Sequence, residues 1–143
     1  IEKIYFNYKF SIKESVSIWL SQFLIIVVVI NWLLKSFWGR ARPEDVIQFG
    51  GSEIFSPWFM ISDACYDNCS FVSGDASVGF SLVVLYFITR KKWFFYLAMF
   101  MGCSIGLIRI LAGAHFFSDV IFSGLILITM NLIFFKIYKY IYG

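Results

Sequence analysis

Four stretches of the chain contain no charged residue, and their lengths limit the folds open to it. Residues 15–34 form the longest stretch. A helix of about 20 apolar residues crosses the roughly 30 Å hydrocarbon core of a bilayer. Residues 76–89, 93–108 and 120–135 are equally free of charge but shorter. The pattern predicts four transmembrane helices.

The composition favours a membrane protein over a soluble domain. Of the 143 residues, 60% are hydrophobic and 15% are charged, whereas soluble domains carry about 25% charged residues. A chain of this length cannot bury so much apolar surface in one globular core. The net charge of +3 is spread along the chain, so no nucleic-acid partner is expected. We predict an all-α, integral-membrane helical bundle that forms a single domain over residues 1–143.

The three shorter segments end or begin at charged residues. Asp75, Arg109 and Asp119 mark these ends. Helix ends that reach into a watery, protein-lined cavity tolerate such groups below the membrane surface. If the four helices alternate in direction, these residues meet Lys35 and His115 on one side of the membrane. The sequence therefore predicts a polar site at one end of the bundle.

Basic residues gather at the opposite end of the predicted bundle. That end collects Lys3, Lys9, Lys13, Arg90, Lys91, Lys92, Lys136 and Lys139. Cytoplasmic loops of membrane proteins carry an excess of Lys and Arg. We therefore expect the basic end to be cytoplasmic, with residues 36–73 as an extracytoplasmic loop beside the site.

His115 and Asp119 are four residues apart, so they share one face of a helix. A carboxylate there can hydrogen-bond one ring nitrogen and leave the other as a nucleophile or base. The alternative is an interfacial His and a helix-start Asp with no shared role.

Several cations converge on this His in the predicted arrangement. Lys35, Arg42 and Arg109 suit a dianion such as phosphate, which Arg can bind through two parallel hydrogen bonds. The alternative is the usual flanking of membrane helices by basic residues. For Arg40 we favour that second interpretation.

The loop before the second segment adds two features. Backbone N–H groups after Ser73 and Gly74 can bind an anion, although Ser is also a common helix N-cap. Cys65 and Cys69 can form a local disulfide on the extracytoplasmic side; two free thiols are the alternative. The sequence contains no cluster of side chains suited to a metal ion.

Together these residues resemble the three-part signature of the type 2 phosphatidic acid phosphatase superfamily, the lipid phosphate phosphatases related to vanadium haloperoxidases. The matching residues are Lys35, Arg42-Pro43, Ser73-Gly74, Arg109, His115 and Asp119. The resemblance covers roughly residues 15–135. The sequence of residues 68–74 is similar to that of a bacterial branch of the family with lipid A 4′-phosphatase-like members. The family core has six helices, so the resemblance implies that the four here are the last four and that the chain is N-terminally incomplete.

The resemblance implies a mechanism and a role for each matching residue. His115 would attack phosphorus and form a phospho-histidine, with Asp119 orienting the ring and balancing its charge. The phosphate would be bound by Lys35, Arg42, Arg109, the Ser73 hydroxyl and the Gly74 amide. The family needs no metal or other cofactor. Its partners would be membrane lipids and a lipid phosphate substrate, a phosphomonoester or diphosphate, in a bacterial inner membrane with the site facing the periplasm.

The middle part of the signature departs from the family. It normally reads Pro-Ser-Gly-His, where the His protonates the leaving oxygen, but this chain has Asp75 in the place of that His. Either Asp75 takes over the acid role, or the substrate needs little acid, or the enzyme is weak. Two other functions stay open: an inactive relative that binds lipid phosphate, and a transporter or channel subunit.

Overall fold

The protein is all-α, as predicted, in the computed structural model, which describes residues 12–142. The helices are α1 (Ile12–Phe23), a π-helical stretch (Leu24–Leu34), α2 (Lys35–Trp38), α3 (Gly74–Phe80), α4 (Val83–Thr89), α5 (Lys92–Leu111) and α6 (Phe117–Tyr142). Short 3-10 turns follow at Pro43–Asp45 and Ile47–Phe49. Within the described residues no β-strand forms, and Val46 and Glu53 make an isolated bridge.

Three helical segments are long and apolar enough to cross a membrane: Glu14–Asp45, Lys92–Leu111 and Phe117–Ile141. The first contains most of α1, the π-helical stretch and α2, which follow one another without a break, and then runs through residues 39–42 to the 3-10 turn at Pro43–Asp45. These segments contain three of the predicted charge-free stretches and extend beyond them. The all-α membrane bundle is thereby confirmed.

The fourth predicted segment divides into the two short helices α3 and α4. Near the division, the hydroxyl of Ser77 donates to the carbonyl of Gly74 and that of Ser81 to the carbonyl of Val78. Such bonds from Ser to a carbonyl three residues earlier compete with the regular helical pattern and bend helices. A pattern of apolar residues alone does not reveal this bend.

Glycines allow α3 to lie directly against α5. A Cβ atom added to Gly79 would lie 2.8 Å from the Cα atom of Gly102. A Cβ added to Gly102 would in turn meet the Phe80 ring at 2.3 Å. Small residues permit this close backbone approach, which is a common source of helix association in membranes.

The largest apolar core lies beside the polar site. Its buried members are Ile25, Ile30, Phe71, Val72, Ala76, Phe80, Val120 and Leu127. Two of them, Phe71 and Val72, come from the end of the long loop. The core therefore holds this loop end against the first helix, α3 and α6.

A second connection lies farther from the site, where α1 meets α6. Gln22 and Asn131 are both buried. Gln22 Nε2 donates to Asn131 Oδ1 at 2.8 Å, and Asn131 Nδ2 donates to Gln22 Oε1 at 3.3 Å. Each amide thus satisfies the other where water is excluded.

The basic residues at the far end fall partly within the described chain. Arg90 and Lys91 connect α4 to α5, Lys92 is the first residue of α5, and Lys136 and Lys139 lie near the end of α6. The predicted contributions of Lys3 and Lys9 lie outside the described residues, and the Lys13 side chain is likewise not described.

Candidate active site

His115 lies in the turn between α5 and α6 and is 1% exposed. Its Nδ1 atom is 2.7 Å from the backbone oxygen of Ser70. A carbonyl can only accept, so Nδ1 carries a proton; in the neutral form of the ring the lone pair is then on Nε2. The residue therefore has the tautomer that a nucleophile acting through Nε2 requires.

Asp119 does not make the hydrogen bond to His115 that the sequence predicts. Its Oδ2 atom lies 3.9 Å from Nδ1, beyond hydrogen-bond distance. The Ser70 carbonyl takes that position: Ser70 accepts from Nδ1 through its backbone oxygen and donates to Asp119 Oδ2 through its hydroxyl. Asp119 stays near enough to stabilise a positive charge on the ring.

The Asp119 carboxylate is fully buried and is held by three close donors, with the Ser118 hydroxyl farther away at 3.5 Å. These are the Ser70 hydroxyl at 2.5 Å, Arg40 Nη1 at 2.5 Å and the Phe116 backbone N–H at 2.8 Å. Buried carboxylates require such partners. Asp119 thereby joins the long loop, the end of the first membrane helix and the start of α6.

The interpretation of Arg40 as an ordinary flanking residue was wrong. Its side chain is 3% exposed and forms the ion pair with Asp119. Its Nε atom donates to the Ser56 carbonyl, and its guanidinium carbon lies 4.2 Å from the centre of the Phe116 ring. The role of Arg40 could have been identified from the sequence, because a buried Asp119 needs a cation as its partner.

Lys35 and Arg42 meet at Asn68, a residue to which the sequence analysis assigned no role in the site. Lys35 Nζ donates to Asn68 Oδ1 at 2.9 Å. Arg42 donates to the Asn68 backbone oxygen from Nε at 3.1 Å and from Nη2 at 2.9 Å. Lys35 is buried, whereas Arg42 is partly exposed. The two predicted phosphate ligands are thus brought together by one residue of the loop.

Arg109 and Asp75 form an ion pair with each other. Arg109 Nε lies 2.8 Å from Asp75 Oδ2, and the side chains are 35% and 56% exposed. The pair connects the last turn of α5 to the first turn of α3. Two predicted site residues are therefore adjacent, at the partly solvated edge of the site.

Ser73 begins α3 as its N-cap. Its hydroxyl accepts from the Ala76 N–H at 3.3 Å, and its backbone N–H donates to the Asp119 carbonyl at 3.2 Å. The next residue, Gly74, is buried, and an added Cβ there would lie 2.2 Å from Asn31 Oδ1. The capping role that the sequence left open is present. A side chain at position 74 would require the Asn31 side chain to move.

Cys65 and Cys69 are joined by a disulfide, with their Cα atoms 5.6 Å apart. The bond closes a short loop that contains Asn68. Among residues 12–142, no group of three His, Cys, Asp or Glu side chains could hold a metal ion.

A cavity of about 410 Å³ adjoins the candidate nucleophile. It is lined by Pro43, Glu44, Phe49, Ile110, Leu111, Gly113, His115, Phe116 and Phe117. Most of these residues are apolar. The cavity therefore suits a ligand with an apolar part next to the group that His115 contacts.

Comparison with known proteins gives consistent matches. The family model described as the PAP2 superfamily matches residues 16–142. The lipid A 4′-phosphatase of Francisella tularensis subsp. novicida (strain U112) is 49% identical over 102 residues, which cover 68% of this chain and 46% of that protein. The lipid A 4′-phosphatase of Rhizobium leguminosarum is 36% identical over 102 residues, covering 69% of this chain and 44% of that protein. The chain thus spans less than half the length of these relatives. No solved structure matches it.

Proposed function

Because the chain belongs to the PAP2 superfamily, we propose that it is a membrane phosphatase that releases phosphate from a lipid. Lipid A is the proposed substrate and its 4′-phosphate the group removed. The names of the relatives support this choice, and so does the largely apolar cavity beside His115.

The observation that carries the proposal is the hydrogen bond between His115 Nδ1 and the Ser70 carbonyl. With that proton fixed, Nε2 attacks phosphorus, a P–N bond forms and the ester P–O bond breaks. The leaving oxygen takes a proton, which we assign to the carboxyl group of Asp75. In the ion pair with Arg109 this group is ionised, so it first takes up a proton from the surrounding water, to which it is exposed. The developing imidazolium is stabilised by Asp119, 3.9 Å from Nδ1.

Water then cleaves the phospho-histidine. Its oxygen attacks phosphorus, the P–N bond breaks and inorganic phosphate is released with His115 again neutral, while a proton from the water passes to the Asp75 carboxylate left by the first step. The cations Lys35, Arg42 and Arg109 and the amide of Gly74 would stabilise the charge on the phosphoryl oxygens in both steps. The Ser73 hydroxyl, which accepts from the Ala76 N–H, would be the last of these phosphate ligands.

We further propose that the site faces the periplasm from the inner membrane. The cluster at Arg90, Lys91 and Lys92 supports a cytoplasmic position for the opposite end. The disulfide between Cys65 and Cys69 supports an oxidising compartment for the loop.

The test is release of inorganic phosphate from lipid A in detergent micelles by the purified protein. We expect steady release by the wild type and none above background from His115→Ala. The control is Tyr66→Ala, which changes a residue that is 91% exposed and should retain activity. Asn131→Ala is unsuitable as a control because it disturbs the bundle. Equal release by the wild type and His115→Ala would exclude the proposed mechanism.

A further inference from the structure

A loop of five residues carries the contacts that hold Lys35 and Arg42. It begins at Cys65 and ends at Cys69, which are joined by a disulfide. Within it, Asn68 has a φ of 46°. Asn tolerates this left-handed conformation better than most residues. The loop backbone is therefore constrained at both ends by a covalent bond and inside by a residue suited to its conformation.

Asn68 gives each cation a separate acceptor. Its side-chain oxygen accepts from Lys35 at 2.9 Å, and its backbone oxygen accepts from two nitrogens of Arg42 at 2.9 and 3.1 Å. Two like charges repel each other when they are held close together. A neutral residue with two acceptors can fix both without cancelling their charge, and the charge stays available to an anion.

We propose that Asn68 is a positioning residue for phosphate binding, which orients Lys35 and Arg42 from a loop closed by the Cys65–Cys69 disulfide. The proposal rests on the proposed function, since it assigns both cations to the phosphate. The same segment continues to Ser70, whose carbonyl accepts from His115. One short stretch of chain thus places the cations and the nucleophile relative to each other.

The main variant is Asn68→Gly. Glycine adopts a positive φ readily and keeps the backbone oxygen for Arg42, so the substitution removes only the contact with Lys35. We expect KM for lipid A to rise about tenfold, the usual effect of losing a hydrogen bond to a charged group, while kcat changes less than about threefold. Thermal unfolding in detergent should remain near that of the wild type, because Asn68 is exposed.

Asn68→Asp tests the importance of a neutral residue. The carboxylate would pair with Lys35 and compete with the phosphate, so KM should rise more than in Asn68→Gly. The matched control is Tyr66→Gly, which places a glycine in the same loop at an exposed residue. A rise in KM for Tyr66→Gly equal to that for Asn68→Gly would overturn the proposal, because general loop flexibility would then explain both.

The decisive test combines Asn68→Gly with Lys35→Met in a double variant. If Asn68 acts through Lys35, adding Asn68→Gly to Lys35→Met should raise KM no further, whereas independent residues give additive effects. A double variant with KM about tenfold above that of Lys35→Met would overturn the proposal.

Vanadate binding, measured by calorimetry on the purified protein in detergent, separates this proposal from the proposed function. We expect the affinity for vanadate to fall about tenfold in Asn68→Gly and to a similar extent in Cys65→Ser/Cys69→Ser. Equal affinity of wild type and Asn68→Gly would overturn the positioning role even if lipid A is hydrolysed. Absence of turnover together with weakened vanadate binding in Asn68→Gly would reject lipid hydrolysis and support the role of Asn68.

Discussion

Arg40 and Asp119 form an ion pair that is almost completely closed off from solvent, with side-chain exposures of 3% and 0%. The pair joins the end of the first membrane-crossing segment to the start of α6. Asp119 also lies beside His115, so the cation sets the position of the carboxylate nearest to the candidate nucleophile. A residue with no assigned role in the family signature thus supports the residues that have one.

Replacing Arg40 with Met should strongly destabilise the protein. The substitution leaves Asp119 buried without its cation, which typically costs about 3–5 kcal/mol. Denaturant unfolding in detergent micelles measures this loss. Arg42→Met is the matched control, because its nearest carboxylate, Glu44, is 3.8 Å away and about half exposed. We expect the control to lose less than about 1 kcal/mol while losing most phosphate release; equal destabilisation by both variants would contradict this division of roles.

Ser70→Ala should weaken the site without removing the hydrogen bond to His115. The hydroxyl that donates to Asp119 at 2.5 Å is lost, but the backbone oxygen that accepts from His115 remains. A hydrogen bond to a charged group contributes about 1.5–3 kcal/mol. The loss should appear in the unfolding free energy, and an unchanged value would show that Arg40 and the Phe116 N–H hold the carboxylate by themselves.

Asp75→Ala tests whether this residue replaces the usual His as proton donor. A general acid typically contributes about 10²–10⁴-fold, and its loss matters little when the leaving group is already acidic. We therefore expect release from lipid A to fall at least about 100-fold and release from p-nitrophenyl phosphate to change less than about threefold. A similar fall for both substrates would instead indicate that Asp75 acts by holding Arg109, its ion-pair partner at 2.8 Å.

Gly79→Ala should cost more stability than Gly124→Ala. The added methyl group on Gly79 would lie 2.8 Å from backbone atoms of Gly102, which cannot move aside independently of α5. At Gly124 the nearest atoms belong to the Phe80 ring, at 3.2–3.3 Å, and the ring can shift slightly. We expect about 1–3 kcal/mol for Gly79→Ala and less for Gly124→Ala, measured by thermal unfolding in one detergent. Equal losses would show that α3 and α5 separate easily.

The helices and their meeting point are predictable from the sequence because a bilayer leaves few options for apolar segments. Alternating directions bring the charged ends of the segments to one side, and the contacts among Lys35, Asn68, Ser70, His115 and Asp119 lie there. The role of each cation is harder to predict from the sequence. It depends on the path of the loop, which apolar patterns do not describe.

Arg40 and Arg42 illustrate this limit. They have the same chemistry and are two residues apart, yet one contacts Asp119 and the other Asn68. The chain changes direction at Gly39, which has a φ of 57° and lies so close to the Ser62 carbonyl that a Cβ atom would not fit. The direction taken after such a turn follows from tertiary packing, so the sequence did not reveal that Arg40 is buried against Asp119.

The paired amides of Gln22 and Asn131 have a consequence for how the bundle would respond to lipids of different size, under the proposed function. Sliding α1 along α6 would break both hydrogen bonds in a region without water to replace them. Widening of the bundle at that level is therefore costly. If the proposed lipid substrate binds, adjustment to bulky or numerous acyl chains should instead come from the loop and turns around the cavity at His115, while the helices beneath keep a constant separation.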